Sequence, residues 1–163
     1  RCILNLDRCF DFLEKVVEKI DRHEMKNQIL LKNAPDDVSL KKVEELAPDY
    51  MFMPIFMEID AKTEIIKKMK INYVGAELVF ATEKAQIAQD DYITKMHDDG
   101  KLLWGNSLVY DYKVPLAAGH NDDISMLQDP ELGWGWLIEK GFDIIQTDWT
   151  QQCYSYIRRR IHA

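Results

Sequence analysis

The chain has 163 residues and a mass of 19.1 kDa, with 47% hydrophobic and 30% charged residues. That suits one hydrophobic core and a single domain over 1–163. With 7 Gly and 5 Pro it is neither collagen-like nor compositionally disordered, and no apolar run reaches the roughly 20 residues that cross a bilayer. The formal charge of −7, from 28 acidic against 21 basic residues, argues against nucleic acid as a partner, because a phosphate backbone needs a surplus of Lys and Arg.

The chain opens at Arg1 with apolar sequence and no signal-peptide pattern, and reads as a piece of something longer. Cys2–Asp7 (CILNLD) predicts a strand. Cys9, Phe12, Leu13, Val16, Val17 and Ile20 then recur at helical spacing. Gln28–Lys32 (QILLK) predicts a second strand. A short helix follows, with Asp36, Asp37 or Ser39 as its cap, Leu40, Val43 and Leu46 facing inward, and Pro48 as its stop. Tyr50–Phe56 (YMFMPIF) predicts a third strand, with Pro54 near its end. Asp60 begins a helix running to about Lys70, on which Glu64 and Lys68 pair at i,i+4.

Tyr73–Phe80 (YVGAELVF) predicts a fourth strand. Ala85, Ala88, Tyr92 and Met96 mark the next helix, which Gly100 closes. Lys101–Leu108 (KLLWGNSL) predicts a fifth strand, followed by a long connection with the polar loop Gly119–Asp123. A short helix Trp134–Lys140, stopped by Gly141, leads to a sixth strand, Phe142–Thr147. Thr150 then caps a final helix to Arg160, and Arg158, Arg159 and Arg160 sit where cations oppose the helix dipole. Cys2, Cys9 and Cys153 lack CxxC spacing, which disfavours a zinc site or disulfide framework, and Cys9 and Cys153, at apolar positions of predicted helices, read as small buried apolar residues.

Six βα units in succession imply a parallel sheet with right-handed crossovers, either open and doubly wound or a (β/α) barrel. No Gly-rich loop follows the first strand, which disfavours a dinucleotide or P-loop fold and puts the barrel of TIM type ahead. In a barrel the chemistry lies at the C-terminal ends of the strands. There the sequence places Asn5, Asp7, Lys32, Glu58, Asp60, Glu77, Asn106 and Asp148. Asp60 and Asp148 read as helix caps and Glu58 as solvated loop, while Asp7 suits either an Asx-turn or a ligand. Glu77 and Lys32 are costly inside a barrel unless they pair with each other or face a ligand. Acids with one Lys suit a hard divalent cation and a phosphate. Asn106 suits a hydrogen bond to a phosphate or sugar oxygen, and Trp104 an apolar wall. His120, in the polar loop beside acids, reads as a surface residue, a ligand or a base. No Ser–His–Asp, Cys–His or GxSxG arrangement stands out, so no catalytic residue is assigned.

The runs LWGNSL, AAGHNDD and DPELGWGWLIEKGFDIIQTDW resemble the glycerophosphodiester phosphodiesterase family, most of all a bacterial branch. Gly141–Asp148 (GFDIIQTD) is similar to that family's last barrel strand, the segment around Trp104 to its Trp-bearing strand, and Ile3–Asp7 to the strand that usually carries Glu-x-Lys. The resemblance implies a (β/α) barrel of which six of eight units are present, in a chain well short of the about 250 residues of a closed barrel. It implies a metal-dependent hydrolase of lipid and glycerol metabolism, acting on a small-molecule phosphodiester with two histidines as acid and base. A divalent cation, Mg or Ca, would neutralise charge during attack on phosphorus. The family's His-Arg-Gly and Glu-x-Asp strands have no counterpart here, so the cation would be held mostly by strands outside this sequence, and the piece is expected to be inactive alone. Asn5-Leu6-Asp7 stands where Glu-x-Lys is usual. Asp7 is therefore the candidate metal ligand, and Lys32, Glu77, Trp104 and Asn106 are the candidate substrate-binding residues. The competing expectations are a non-catalytic half-barrel that binds a partner or forms a homo-oligomer through open sheet edges, and an unrelated α/β protein with a small-molecule site.

Overall fold

A computed structural model describes residues 2–162. The strands are β1 (Leu4–Asp7), β2 (Ile29–Asn33), β3 (Met51–Phe56), β4 (Gly75–Leu78), β5 (Leu102–Asn106) and β6 (Ile144–Gln146). The helices are α1 (Leu13–Arg22), α2 (Asp37–Leu46), α3 (Lys62–Ile66), α4 (Asp90–Asp98), α5 (Asp122–Leu127), α6 (Trp136–Lys140) and α7 (Thr150–Ile161). Hydrogen-bonded strand order follows chain order from β1 to β6. The pairs β1–β2, β2–β3 and β5–β6 are parallel. This is the expected βα alternation. The chain forms two compact units, residues 1–77 and 78–163.

In the first unit, period-two alternation sorts the strand residues. Asp7, Lys32 and Met53 stand in register, as do Leu6, Leu31 and Phe52. Leu31 and Phe52 are fully buried, as are Leu13, Leu40, Val43 and Ile66 on the helices. Phe10 and Phe52 add a tilted aromatic pair at 6.3 Å. Pro54 lies within β3, in register with Asn33, the last residue of β2. Two apolar positions depart from the helical reading. Phe12 and Leu46, both expected inside, are exposed. Phe12 falls in a short 3-10 turn, Phe10–Phe12, whose tighter winding turns Phe10 inward instead. The helix expected to run to Lys70 ends at Ile66, and Glu64 pairs with Lys67 at i,i+3.

The cap of α2 is as the sequence reads. Asp36 Oδ1 accepts from the Ser39 backbone N–H at 2.9 Å, and the Ser39 hydroxyl donates to Oδ2 at 2.6 Å. The Asn33 amide donates to the same hydroxyl at 2.8 Å, fixing the end of β2 to the start of α2. The Ser39 hydroxyl, aided by backbone N–H groups, holds the Asp36 carboxyl below its ordinary range.

In the second unit, Leu78, Ile87, Met96, Leu103 and Leu137 are fully buried. Trp134, Cys153 and Tyr156 form a cluster on which Ile138, Ile145 and Ile157 pack. A π-helical turn, Glu131–Gly135, runs directly into α6. Gly133 is required there, because a Cβ would sit 1.9 Å from Ser125 Oγ. Gly141 ends α6 with φ +95°, the left-handed cap expected of it. The cap of α7 differs from expectation. Thr150 is its first residue, and Thr147 Oγ1 accepts from the Trp149 backbone N–H at 3.0 Å.

Replacing Asp36 by Ala is expected to lower stability by about 1 kcal/mol in urea unfolding at neutral pH. The folded carboxyl titrates below the unfolded one, so its contribution is present above the unfolded pKa. It is lost as pH falls through the folded value. The difference between Asp36→Ala and the unmodified chain therefore shrinks in acid.

Candidate functional site

In the first unit, Asp7, Lys32 and Glu77 are the polar residues the sequence singles out. Asp7 and Lys32 end adjacent strands and are partners in register. Asp7 is exposed, whereas Lys32 and Glu77 are buried at 1% and 6% exposure. Lys32 Nζ lies 2.7 Å from Glu77 Oε2. The pair spans from β2 to β4, across the strand that carries the buried Met53. Of the two fates open to these charges in the sequence, pairing with each other is the one the structure displays. At ordinary ion-pair distance each ion offsets the desolvation of the other.

In the second unit, Trp104 and Asn106 are in register with Ile144 and Gln146, so the four share one face. Trp104 Nε1 donates to Gln146 Oε1 at 3.1 Å. Asn106 is buried at 3% and borders a small cavity of about 70 Å³. The connection after β5 closes over this cavity, with Leu108, Tyr110, Tyr112 and Pro115 among its lining. Backbone hydrogen bonds between Phe80 and Leu116 and between Ala118 and Phe80 tie that connection down. Tyr110 and Tyr112 are largely exposed, and the Tyr112 hydroxyl donates to Asp123.

The sequence reading missed a buried carboxylate that accepts four hydrogen bonds. Asp122, taken for polar loop, is 2% exposed. Its Oδ1 accepts from Ser107 Oγ at 2.7 Å, Trp134 Nε1 at 2.8 Å and Thr147 Oγ1 at 2.7 Å. Its Oδ2 accepts from the Asp148 backbone N–H at 2.9 Å. The only available signal was indirect: Asp122 and the donor residues Ser107, Trp134 and Thr147 all lie within the three quoted runs. Burial pushes the neighbouring Cys153 thiol up to about 11, with the Asp122 charge adding to the effect.

His120 is fully occupied. Its Nδ1 lies 2.6 Å from the Leu132 carbonyl and its Nε2 2.9 Å from Glu83 Oε1, while its ring stacks on Trp136 at 3.8 Å. Both ring nitrogens face protein oxygens, which fits a clasp between loops rather than a base open to substrate. His97 likewise meets Asp143 at 3.1 Å, and Asp143 also accepts from the Leu103 backbone N–H.

The residues do not fit a divalent cation by themselves. Among the described residues no three of His, Cys, Asp and Glu come together. Asp7 has a lysine as its register neighbour, and Glu77 is engaged by that lysine.

Residues 52–157 match the model of a family described as a domain of unknown function, DUF4996. The chain belongs to that family. Among solved structures it is similar to a glycerophosphoryl diester phosphodiesterase from Parabacteroides distasonis ATCC 8503. The identity is 17% and the TM-score 0.65, covering 90% of this chain and 47% of that one. The chain thus spans about half the length of that structure. The likeness bears out the fold class, α/β with parallel strands, as in an incomplete (β/α) barrel of TIM type. A search of curated proteins finds no match.

Two outcomes are expected. Lys32→Met alone or Glu77→Leu alone lowers unfolding free energy by about 3–5 kcal/mol, since each strands a buried charge, and the double substitution recovers most of that loss. A double-mutant cycle in urea measures this. In mildly alkaline buffer a thiol reagent modifies the exposed Cys2 readily, whereas Cys153 reacts only through opening of the fold. Asp122→Ala accelerates Cys153 labelling and costs at least about 3 kcal/mol, because four donors lose their acceptor. Mass spectrometry of labelled peptides reads both rates.

Proposed function

We propose that the chain supplies six βα units of a metal-dependent phosphodiester hydrolase acting on glycerophosphodiesters. The observation that carries this reading is the fold likeness over 90% of the chain to a glycerophosphoryl diester phosphodiesterase. The agreement of the runs around Trp104 and Gly141–Asp148 with that family supports it. In this reading the units here form a substrate-facing wall. Trp104, oriented by Gln146, offers a flat apolar surface to the glycerol carbons, and Asn106 offers an amide to a phosphate or hydroxyl oxygen. Asp7, exposed at the end of β1, is the carboxylate placed to join a cation site whose other ligands lie outside this sequence. Lys32, held by Glu77, sets the charge of the sheet face behind Asp7 and meets a phosphate only if that pair opens. In this reading binding of the diester, rather than its turnover, is what these units supply.

Binding of glycerophosphoethanolamine tests this. Titration calorimetry on the chain is expected to show weak binding, at least tenfold weaker in Trp104→Ala, with no release of glycerol phosphate. Equal affinity of Trp104→Ala and the unmodified chain, or no heat at all, overturns the reading.

A second reading is favoured by β1 and β6, the two strands that end the hydrogen-bonded order and so expose one backbone edge each. Such edges favour a self-associating module, in which a second copy of the chain is the partner.

A further inference from the structure

The last helix carries two faces. Cys153 and Tyr156 are buried on one, in the cluster with Trp134. On the other, Thr150, Tyr154, Ile157 and Ile161 recur at spacings of four, three and four, which aligns them in a single stripe along α7. Tyr154 is 63% exposed and Ile161 70% exposed, while Ile157 is partly covered. An apolar stripe of this kind on a surface helix normally faces another element. It continues into an open groove of about 380 Å³, whose lining includes Ile138 of α6, Ile145 of β6 and Phe142 from the turn between them.

The charges at the two ends of the stripe point to what covers it. Asp148 lies just before the first turn of α7 and is exposed, with its backbone N–H held by Asp122 and no ion pair among the described residues. Arg158 lies near the end of α7, on the flank of the stripe, and is exposed with no ion pair among the described residues. Arg160, by contrast, turns back to Glu131 and Glu139. Asp148 precedes α7 by two residues and Arg158 lies in its last turn, so the two charges stand at opposite ends of the stripe. Tyr154 stands close to the midpoint between them.

We propose that this face of α7 is the contact surface for a second copy of the chain, joined about a two-fold axis near Tyr154 with the two α7 helices antiparallel. The proposal rests on the self-association reading and names its surface. A two-fold axis makes an interface in which the same patch serves both copies. Antiparallel α7 helices then bring Asp148 of each copy opposite Arg158 of the other, so one geometry satisfies both charges twice. Tyr154 meets its own counterpart at the centre, and Ile157 and Ile161 fill the flanks, where aromatic and aliphatic anchors contribute most to binding. A parallel arrangement would set Arg158 against Arg158 and is disfavoured by like charge.

Multi-angle light scattering and sedimentation on the whole chain, from micromolar to millimolar concentration, test the surface. The expected result is a species of twice the 19.1 kDa chain mass. Tyr154→Glu and Ile161→Glu, both at exposed positions, are expected to abolish it while the far-ultraviolet circular dichroism stays unchanged. Asp148→Arg is expected to weaken association about tenfold by facing two like charges, and adding Arg158→Asp is expected to restore it. A chain that stays at monomer mass throughout overturns the proposal and the self-association reading together. A dimer that survives Tyr154→Glu and Ile161→Glu overturns this surface alone and points to the strand edges. A charge swap that fails to restore association overturns the antiparallel geometry.

Discussion

The second unit is organised by one buried carboxylate. Asp122 is at once the first residue of α5 and the acceptor for side chains from the end of β5, the π-helical turn and the segment after β6. A carboxylate at 2% exposure is tolerable only when its lone pairs are met by donors. That demand fixes the positions of Ser107, Trp134, Thr147 and the Asp148 amide together. The seating of Trp134 then depends on Gly133, which lets the backbone pass Ser125, and the Ser125 hydroxyl in turn accepts from the Trp134 N–H at 3.0 Å. The long connection between β5 and β6 is therefore held in place although only short segments of it are helical. The start of α7 inherits its placement from the same anion.

The Lys32–Glu77 pair plays a comparable part in the first unit, with a different consequence for function. A lysine on a strand of a barrel-type sheet suggests a phosphate ligand, and a glutamate nearby suggests a metal ligand. Once the two are 2.7 Å apart and buried, each satisfies the other's charge, and neither is offered outward. The departure from Glu-x-Lys at Asn5-Leu6-Asp7 thus extends beyond a residue substitution. The lysine of this chain stands on β2, in register with Asp7, and has a carboxylate partner that restrains it. Of the other polar residues at the strand ends, Asp7 is exposed at the end of β1, whereas Asn106 is buried at the end of β5.

The sequence reading and the structure agree most closely where a single period governs burial. All six strands were legible because apolar runs bounded by polar turns leave few alternatives, and the Asp36 and Gly141 helix ends were legible because local hydrogen bonding and backbone conformation decide them. The differences have local causes. Phe12 lies outside because a 3-10 turn shifts the helical phase by part of a turn, which a 3.6-residue template cannot register. Asp122 was misplaced because an Asn-Asp-Asp run scores as solvent-exposed loop. Its burial depends on donors 12 to 26 residues distant in the chain, and no local pattern encodes them. The Lys32–Glu77 pair lay between these cases. The cost of two buried charges made pairing one of two options, and only the approach of β4 to β2 decides which is realised.

These two charge arrangements also bear on how a chain with 17% identity keeps the fold of a phosphodiesterase over half that protein's length. Parallel βα units need little beyond alternation and helix-facing apolar residues, so identity can drift widely while the fold persists. What does not drift freely is a buried anion with four donors, since changing any one partner leaves an unmatched polar group. The three runs that carry the resemblance contain Asp122 and the four residues that donate to it. Those runs therefore hold a buried hydrogen-bond network as well as the Trp104 face of the sheet. In the same stretch Trp104 and Asn106 belong to the sheet face and take no part in that network.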